Sequence, residues 1–253
     1  MKSKVILLSL IPSLAAGIVQ AADVSLTVTP SIVSDYMFRG VRLGGSAFQP
    51  AMEVGVGKLT AGLWASAPIA DRVPGLSDPE VDLYASYSFA LSDRLSIVPG
   101  FSAYLFPNAD PDDGFYRGTY EPYLAVNYTV KGIKLTPKVY YDLVLQGPTF
   151  ELSAGYAVTL KALRTELSFS GSVGTFWGDN AVNTASPKVK NTGSYYLIGL
   201  TMPFELAKHV KLTPGITYTE GFENYFESEG SPRINNSAAV ARVVGTLSLS
   251  LSF

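Results

Sequence analysis

The chain has 253 residues, with 23 glycines and 15 tyrosines, no cysteine, a formal net charge of −2 and only 16% charged residues. Without cysteine it can build neither a disulfide framework nor a thiolate site. Its near-neutral balance without basic runs excludes nucleic acid and anionic surfaces as electrostatic partners. At the amino end, Lys2 and Lys4 precede an apolar stretch over residues 5–18 that contains Pro12, followed by Val19, Gln20 and Ala21. This is the pattern of a secretory signal peptide over residues 1–21, leaving residues 22–253 as one exported domain. No later segment supplies the roughly 18 consecutive apolar residues that a transmembrane helix needs.

Period-two alternation, the mark of a strand with one apolar and one polar face, runs through almost all of the remainder. It predicts strands over residues 24–41, 49–57, 59–67, 80–91, 95–106 and 120–130, then 133–146, 150–160, 163–177, 195–206, 210–222 and 240–253. Most reach the roughly nine to eleven residues of a tilted spanning strand, against five or six in soluble sheets. The joints alternate too. Tight turns are predicted at 57–58, 92–93, 131–132, 161–162 and 207–209. Longer polar joints are predicted at 42–48, 68–79, 107–119, 178–194 and 223–239, with 147–148 as a short exception. Short turns on one rim and long loops on the other are the pattern of an all-β, antiparallel up-and-down transmembrane barrel of about twelve strands. An even strand number places both ends on the short-turn, periplasmic rim. Pro99, Pro137 and Pro214 interrupt this pattern, since proline cannot donate to a ladder, and bulges are expected there.

The last strand alternates Leu247, Ser248, Leu249, Ser250, Leu251, Ser252 and stops on Phe253. In a soluble sheet this would be an exposed edge, whereas in a closed barrel it pairs with the first strand. Phe253 matches the terminal aromatic read by the barrel assembly machinery, although Leu251 stands where that signal commonly carries another aromatic.

Alternation places Leu95, Ile97, Phe101, Val126, Tyr128, Leu135, Val139, Tyr141, Leu152, Val158, Leu167, Phe169, Leu247, Leu249 and Leu251 on one face. Charges and polar groups recur on the other. Strand length and loop asymmetry turn the apolar face to outer-membrane lipid and the polar face to a lumen for small polar solutes. The expected lumen residues are Asp35, Arg39, Glu53, Asp82, Tyr84, Glu121, Lys134, Lys138, Asp142, Glu151, Arg164 and Glu166, with Asn127, Lys211 and Arg242 on the same face. Their signs nearly balance, which argues against strong ion selectivity. Asp35 and Arg39 are expected to share the polar face, either lining the pore or bracing it as an ion pair, with Tyr36 and Phe38 in the outer aromatic girdle.

The run Ser34, Asp35, Tyr36, Met37, Phe38, Arg39, Gly40 resembles the opening motif of the TorF-type porin family. The resemblance continues through Gln49, Pro50, Ala51, then Ala61 to Ser66, then Glu80 to Tyr84, and fades beyond Tyr123 and the Val139, Tyr140, Tyr141 run. It implies an outer-membrane barrel acting as a channel, without fixing a solute.

No enzyme is expected. His209 is the only histidine and falls in a short turn, so there is no positioned imidazole base, and zinc lacks ligands. Asp110, Asp112 and Asp113 miss the spacing of a calcium loop, and Glu220, Glu223, Glu227 and Glu229 read as an acidic exposed loop. The expectation is a passive channel in the bacterial outer membrane without cofactor or metal. The alternative is a plugged barrel that binds a partner or surface through its long loops.

Overall fold

The computed structural model describes residues 24–71 and 79–253. The predicted signal peptide and residues 72–78 of the predicted 68–79 joint lie outside the described residues. The described residues form a closed antiparallel barrel of twelve strands. Its strands are β1 (Val24–Thr29 and Ser31–Val33), β2 (Ala47–Phe48 and Ala51–Val56), β3 (Leu59–Pro68), β4 (Glu80–Tyr87 and Phe89–Ser92), β5 (Leu95–Leu105) and β6 (Gly118–Val130). They continue as β7 (Ile133–Asp142), β8 (Gly147–Leu160), β9 (Thr165–Gly178), β10 (Lys190–Thr201 and Phe204–Ala207), β11 (Val210–Glu227) and β12 (Arg242–Ser252).

Each strand pairs with its sequence neighbour, and β12 returns to β1 with Val28 opposite Leu251 and Ile32 opposite Leu247. Phe253 completes the seam: its N–H donates to the Leu26 carbonyl at 2.9 Å, and the Leu26 N–H donates to the Phe253 carbonyl at 3.2 Å. Among the described residues the barrel strands leave no edge for aberrant pairing. Deleting Phe253 removes both bonds, a loss of about 1–3 kcal/mol from the closing seam, together with the terminal aromatic. The folded, heat-modifiable fraction of the barrel should fall while the total amount of protein made does not. An unchanged folded fraction at modest expression would show the terminus to be dispensable.

The predicted outer face is outward. Phe101, Tyr128, Val139, Tyr141, Leu152, Val158, Phe169 and Leu247 are all exposed. Near the long-loop rim, Phe101 stacks on Tyr120 and Phe150 meets Trp177 edge-on at 6.0 Å. The buried apolar core is small, comprising Val33, Tyr36, Ala47 and Val244, with Met37, Leu43 and Trp64 packed against it. Much of what is buried is polar, including Ser66, Glu80, Glu121, Asp142, Thr149, Thr219 and Asn224.

The predicted boundaries shift for local reasons. The strand predicted over 24–41 ends at Val33, because Ser34 terminates the β1–β12 pairing with backbone and side-chain bonds to Gly245, each 2.9 Å. The chain then forms a separate hairpin, Tyr36–Phe38 against Val41–Gly44. The turn predicted at 147–148 lies at 143–146, where the Asp142 carboxylate accepts from the N–H groups of Val144 and Leu145. β11 continues to Glu227, so Glu220, Glu223 and Glu227 are strand residues and only Glu229 lies in the loop. Glu220 accepts the hydroxyls of Tyr196 and Tyr218 at 2.6 and 2.7 Å.

The three prolines lie in ladders without bulges of their own. Pro99, Pro137 and Pro214 face Leu124, Leu152 and Leu247 in continuous register. On each proline's other side the neighbouring ladder is interrupted: at Ser88 in β4, at Val126 and Asn127 of β6, and at Met202 and Pro203 in β10. The missing donor is absorbed by an irregularity in the adjacent strand.

Candidate functional site in the lumen

The hairpin after β1 shapes the interior. Its turn has positive φ at both central residues, 48° at Arg39 and 76° at Gly40, the signature of a two-residue hairpin turn whose twist matches its flanking strands. Gly40 fits this conformation, whereas Arg39 does not favour it and is held there by its contacts. The guanidinium bonds Glu121 of β6 bidentately, at 2.7 and 2.8 Å, and lies 4.7 Å from the ring centres of both Phe38 and Tyr140. Glu121, 2% exposed, also accepts the Tyr104 hydroxyl at 2.9 Å.

At the other end of the hairpin, the Tyr36 hydroxyl donates to Glu80 of β4 at 2.5 Å. Gly40 lies against Gly221 of β11 and Tyr195 of β10. One short segment therefore touches β4, β6, β10 and β11. Strands β4 and β10 stand on opposite sides of a twelve-strand cylinder, so the hairpin crosses its interior. It is tied down by backbone bonds to the joint before β12: Arg42 N–H to the Ala238 carbonyl at 2.7 Å and Val240 N–H to the Gly40 carbonyl at 3.2 Å. Arg42 also pairs with Asp71 and with Asp35 at 3.1 Å, and these carboxylates raise its pKa above the ordinary arginine value. The hairpin is a fixed constriction.

The barrel wall carries a repeated arrangement on two opposite sides. The Tyr84 ring lies across Gly62 on the adjacent strand, and its hydroxyl reaches Glu53 one strand further at 3.1 Å. Six strands away, Tyr195 lies across Gly174 and reaches Glu151 at 2.7 Å. In each case a side chain at the glycine would collide with the ring, so the missing Cβ makes room for a tyrosine flat against the wall. Tyr123 covers Gly100 likewise. The Lys138 ammonium sits 5.0 and 5.1 Å from the ring centres of Tyr123 and Tyr140, a cation on aromatic faces.

The twelve expected lumen residues fall into distinct places. Asp35 and Arg39 belong to the hairpin and its base, not to the first strand, and do not pair with each other. Asp35 takes Arg42, with Arg242 at 4.0 Å, while Arg39 takes Glu121. Tyr36 is buried and does not join the outer girdle. Glu53, Tyr84, Glu121, Lys138 and Glu151 share the network just described. Asp82 lies near the hairpin, with one buried carboxylate oxygen lacking a partner. Asp142 caps the 143–146 turn. Lys134 and Glu166 are each the second residue of a strand leaving the short-turn rim. Arg164 lies in a turn at that rim with φ 51° and is not a strand residue.

Sequence reasoning missed Glu80, Tyr104, Tyr123, Tyr140 and Tyr195, and the contact of Gly40 with Gly221. The tyrosines do fall on the polar face of the alternation, a signal that could have found them. His209 occupies a turn at the short-turn rim, and Asp110 caps a short helical turn through the Asp112 N–H.

The family described as "Bacterial protein of unknown function (Gcw_chp)" matches residues 18–229. No curated protein matches the sequence. Among solved structures, the KdgM porin is 12% identical and aligns over 90% of this chain and 99% of its own, with a TM-score of 0.53. A structure described under "Unveiling the Mechanism Behind the in-meso Crystallization of Membrane Proteins" is 13% identical over 90% of this chain and 84% of its own, at 0.51. The NanC porin is 14% identical over 89% and 98%, at 0.48. At such identities the likeness is one of fold.

Proposed function

The chain belongs to Gcw_chp, a bacterial protein family of unknown function, and we propose that it is an outer-membrane channel through which small hydrophilic solutes diffuse passively. The observation that carries this reading is the interior. A polar, charged inner face runs along the strands, and the hairpin narrows the lumen while leaving a cavity of about 380 Å³ beside it. The apolar outer face, the sorting of loops by rim and the resemblance of residues 34–40 to TorF-type porins support the same assignment. Barrels of eight strands are filled by side chains and those of sixteen hold open water; at twelve, an inward hairpin is the element that sets the bore. The channel needs no catalytic group, cofactor or metal in this reading, and its assembly would use the barrel machinery.

A second reading, a plugged barrel that works through its loops, is favoured by one observation, the anchoring of the hairpin at both ends. Planar-bilayer recording decides between them. Purified barrel should give small, resolvable current steps. The chain has no native cysteine, so Lys138→Cys supplies a unique thiol, and a bulky water-soluble thiol reagent should reduce that current. Leu152→Cys on the outer face should be inert. No current, together with an unreactive thiol at position 138, would leave the plugged barrel standing.

A further inference from the structure

We propose that the cavity between the hairpin and the wall is a binding subsite for a small organic cation, an ammonium carried on an apolar body. This rests on the channel reading for its access route but not for its chemistry. The cavity of about 380 Å³ falls within the range of small-molecule sites. One side is aromatic: Trp64 of β3, Tyr36 and Phe38 all line it, and Trp64 and Tyr36 pack with ring centres 5.6 Å apart. Indole and phenol faces attract cations through their quadrupoles, tryptophan most strongly.

The charged lining residues are Asp35, Arg39 and Asp82. Arg39 is engaged twice over by Glu121, and Asp35 is matched by Arg42. Among the described residues no lysine or arginine pairs with Asp82, and one of its carboxylate oxygens has no hydrogen-bond partner. Its neighbour on the same strand face, Glu80, contacts it and takes the Tyr36 hydroxyl. Two carboxylates this close share a proton or take a cation beside them, and in the shared-proton state the pair still carries a negative charge. The charge left unmatched in the cavity is negative, and it stands next to aromatic faces. A carboxylate or phosphate solute would meet repulsion there, and a neutral one would leave Asp82 without a counterion.

The protein carries its own reporter. Trp64 is one of only two tryptophans, and the other, Trp177, lies on the outer face, 43% exposed. In the detergent-solubilised Trp177→Phe barrel, phenylethylammonium should change the Trp64 emission saturably. 2-Phenylethanol, nearly the same shape without charge, should bind at least about tenfold more weakly, and 3-phenylpropionate should not bind. Asp82→Asn should bring the ammonium down to the alcohol's level. Heat-modifiable migration identifies variants that remain folded, and Asp82→Glu, which keeps the charge, should retain the preference. Equal binding of ammonium and alcohol, or a preference that survives Asp82→Asn, would overturn the proposal, as would a flat titration. Because this readout needs no current, a barrel that binds the ammonium but does not conduct would refute the channel alone.

Discussion

Replacing residues 36–44 with a short Gly/Ser turn is expected to raise single-channel conductance about threefold or more, because the element that sets the bore of a polar lumen sets its current. The hairpin crosses from β4 to β6 and β11, so its removal widens the narrowest section without touching any barrel strand. Arg39→Ala should act in the same direction with an added penalty. It leaves Glu121 buried without its cation, and losing one partner of a buried pair costs about 3–5 kcal/mol. The Tyr104 hydroxyl, still within hydrogen-bond reach of Glu121, should offset part of that loss. Arg39→Ala combined with Glu121→Ala should recover stability relative to Arg39→Ala alone while keeping the high conductance. Recordings of the four proteins, paired with their unfolding midpoints in denaturant, separate bore from stability. Unchanged conductance on hairpin removal would place the narrowest section elsewhere.

The barrel was legible in the sequence because period two, strand length and the sorting of loops by rim are local signals that agree along the chain. The site was legible only in part. Alternation is blind to a chain that leaves the wall in phase: Tyr36 and Phe38 continue the pattern of β1 even though they already belong to the hairpin. The turn that redirects it uses Arg39 and Gly40 in place of the more usual asparagine and glycine, and only the contact with Glu121 explains an arginine there. Asp35 and Arg39 therefore read as partners from their spacing, while the fold gives each a different ion. Arg164 was misplaced for a related reason. The alternation of β9 extends backwards through residues that in fact close the turn, where a positive φ, not a face, governs the position. The glycines at 62, 100 and 174 carry no signal of their own in the alternation, and only the tyrosines lying across them give each a specific role.

The interlock of Gly40 with Gly221 offers a way to move the hairpin from a distance. A Cβ on Gly40 would stand 2.5 Å from the Gly221 Cα and 2.8 Å from the Tyr195 Cβ, while one on Gly221 would collide with the Gly40 carbonyl and sit 3.2 Å from the Ala239 Cβ. Gly221 has an ordinary strand conformation, so alanine there costs the β11 backbone nothing and even relieves the entropic penalty of glycine in a strand. The hard clash falls on the hairpin, with the Ala239 methyl group crowded only slightly. Gly221→Ala should therefore leave a fully folded barrel whose conductance rises toward that of the hairpin-deleted protein, with the Val240 to Gly40 bond lost. Gly171→Ala on β9, where the added Cβ makes only ordinary contact at 3.6 Å with the Leu197 carbonyl, should change nothing. The decisive arm combines Gly221→Ala with the deletion. If the substitution works by displacing the hairpin, the pair should conduct no more than the deletion alone, since sites that act through one element are not additive. An effect that persists in the deleted background would mean that residue 221 shapes the lumen directly.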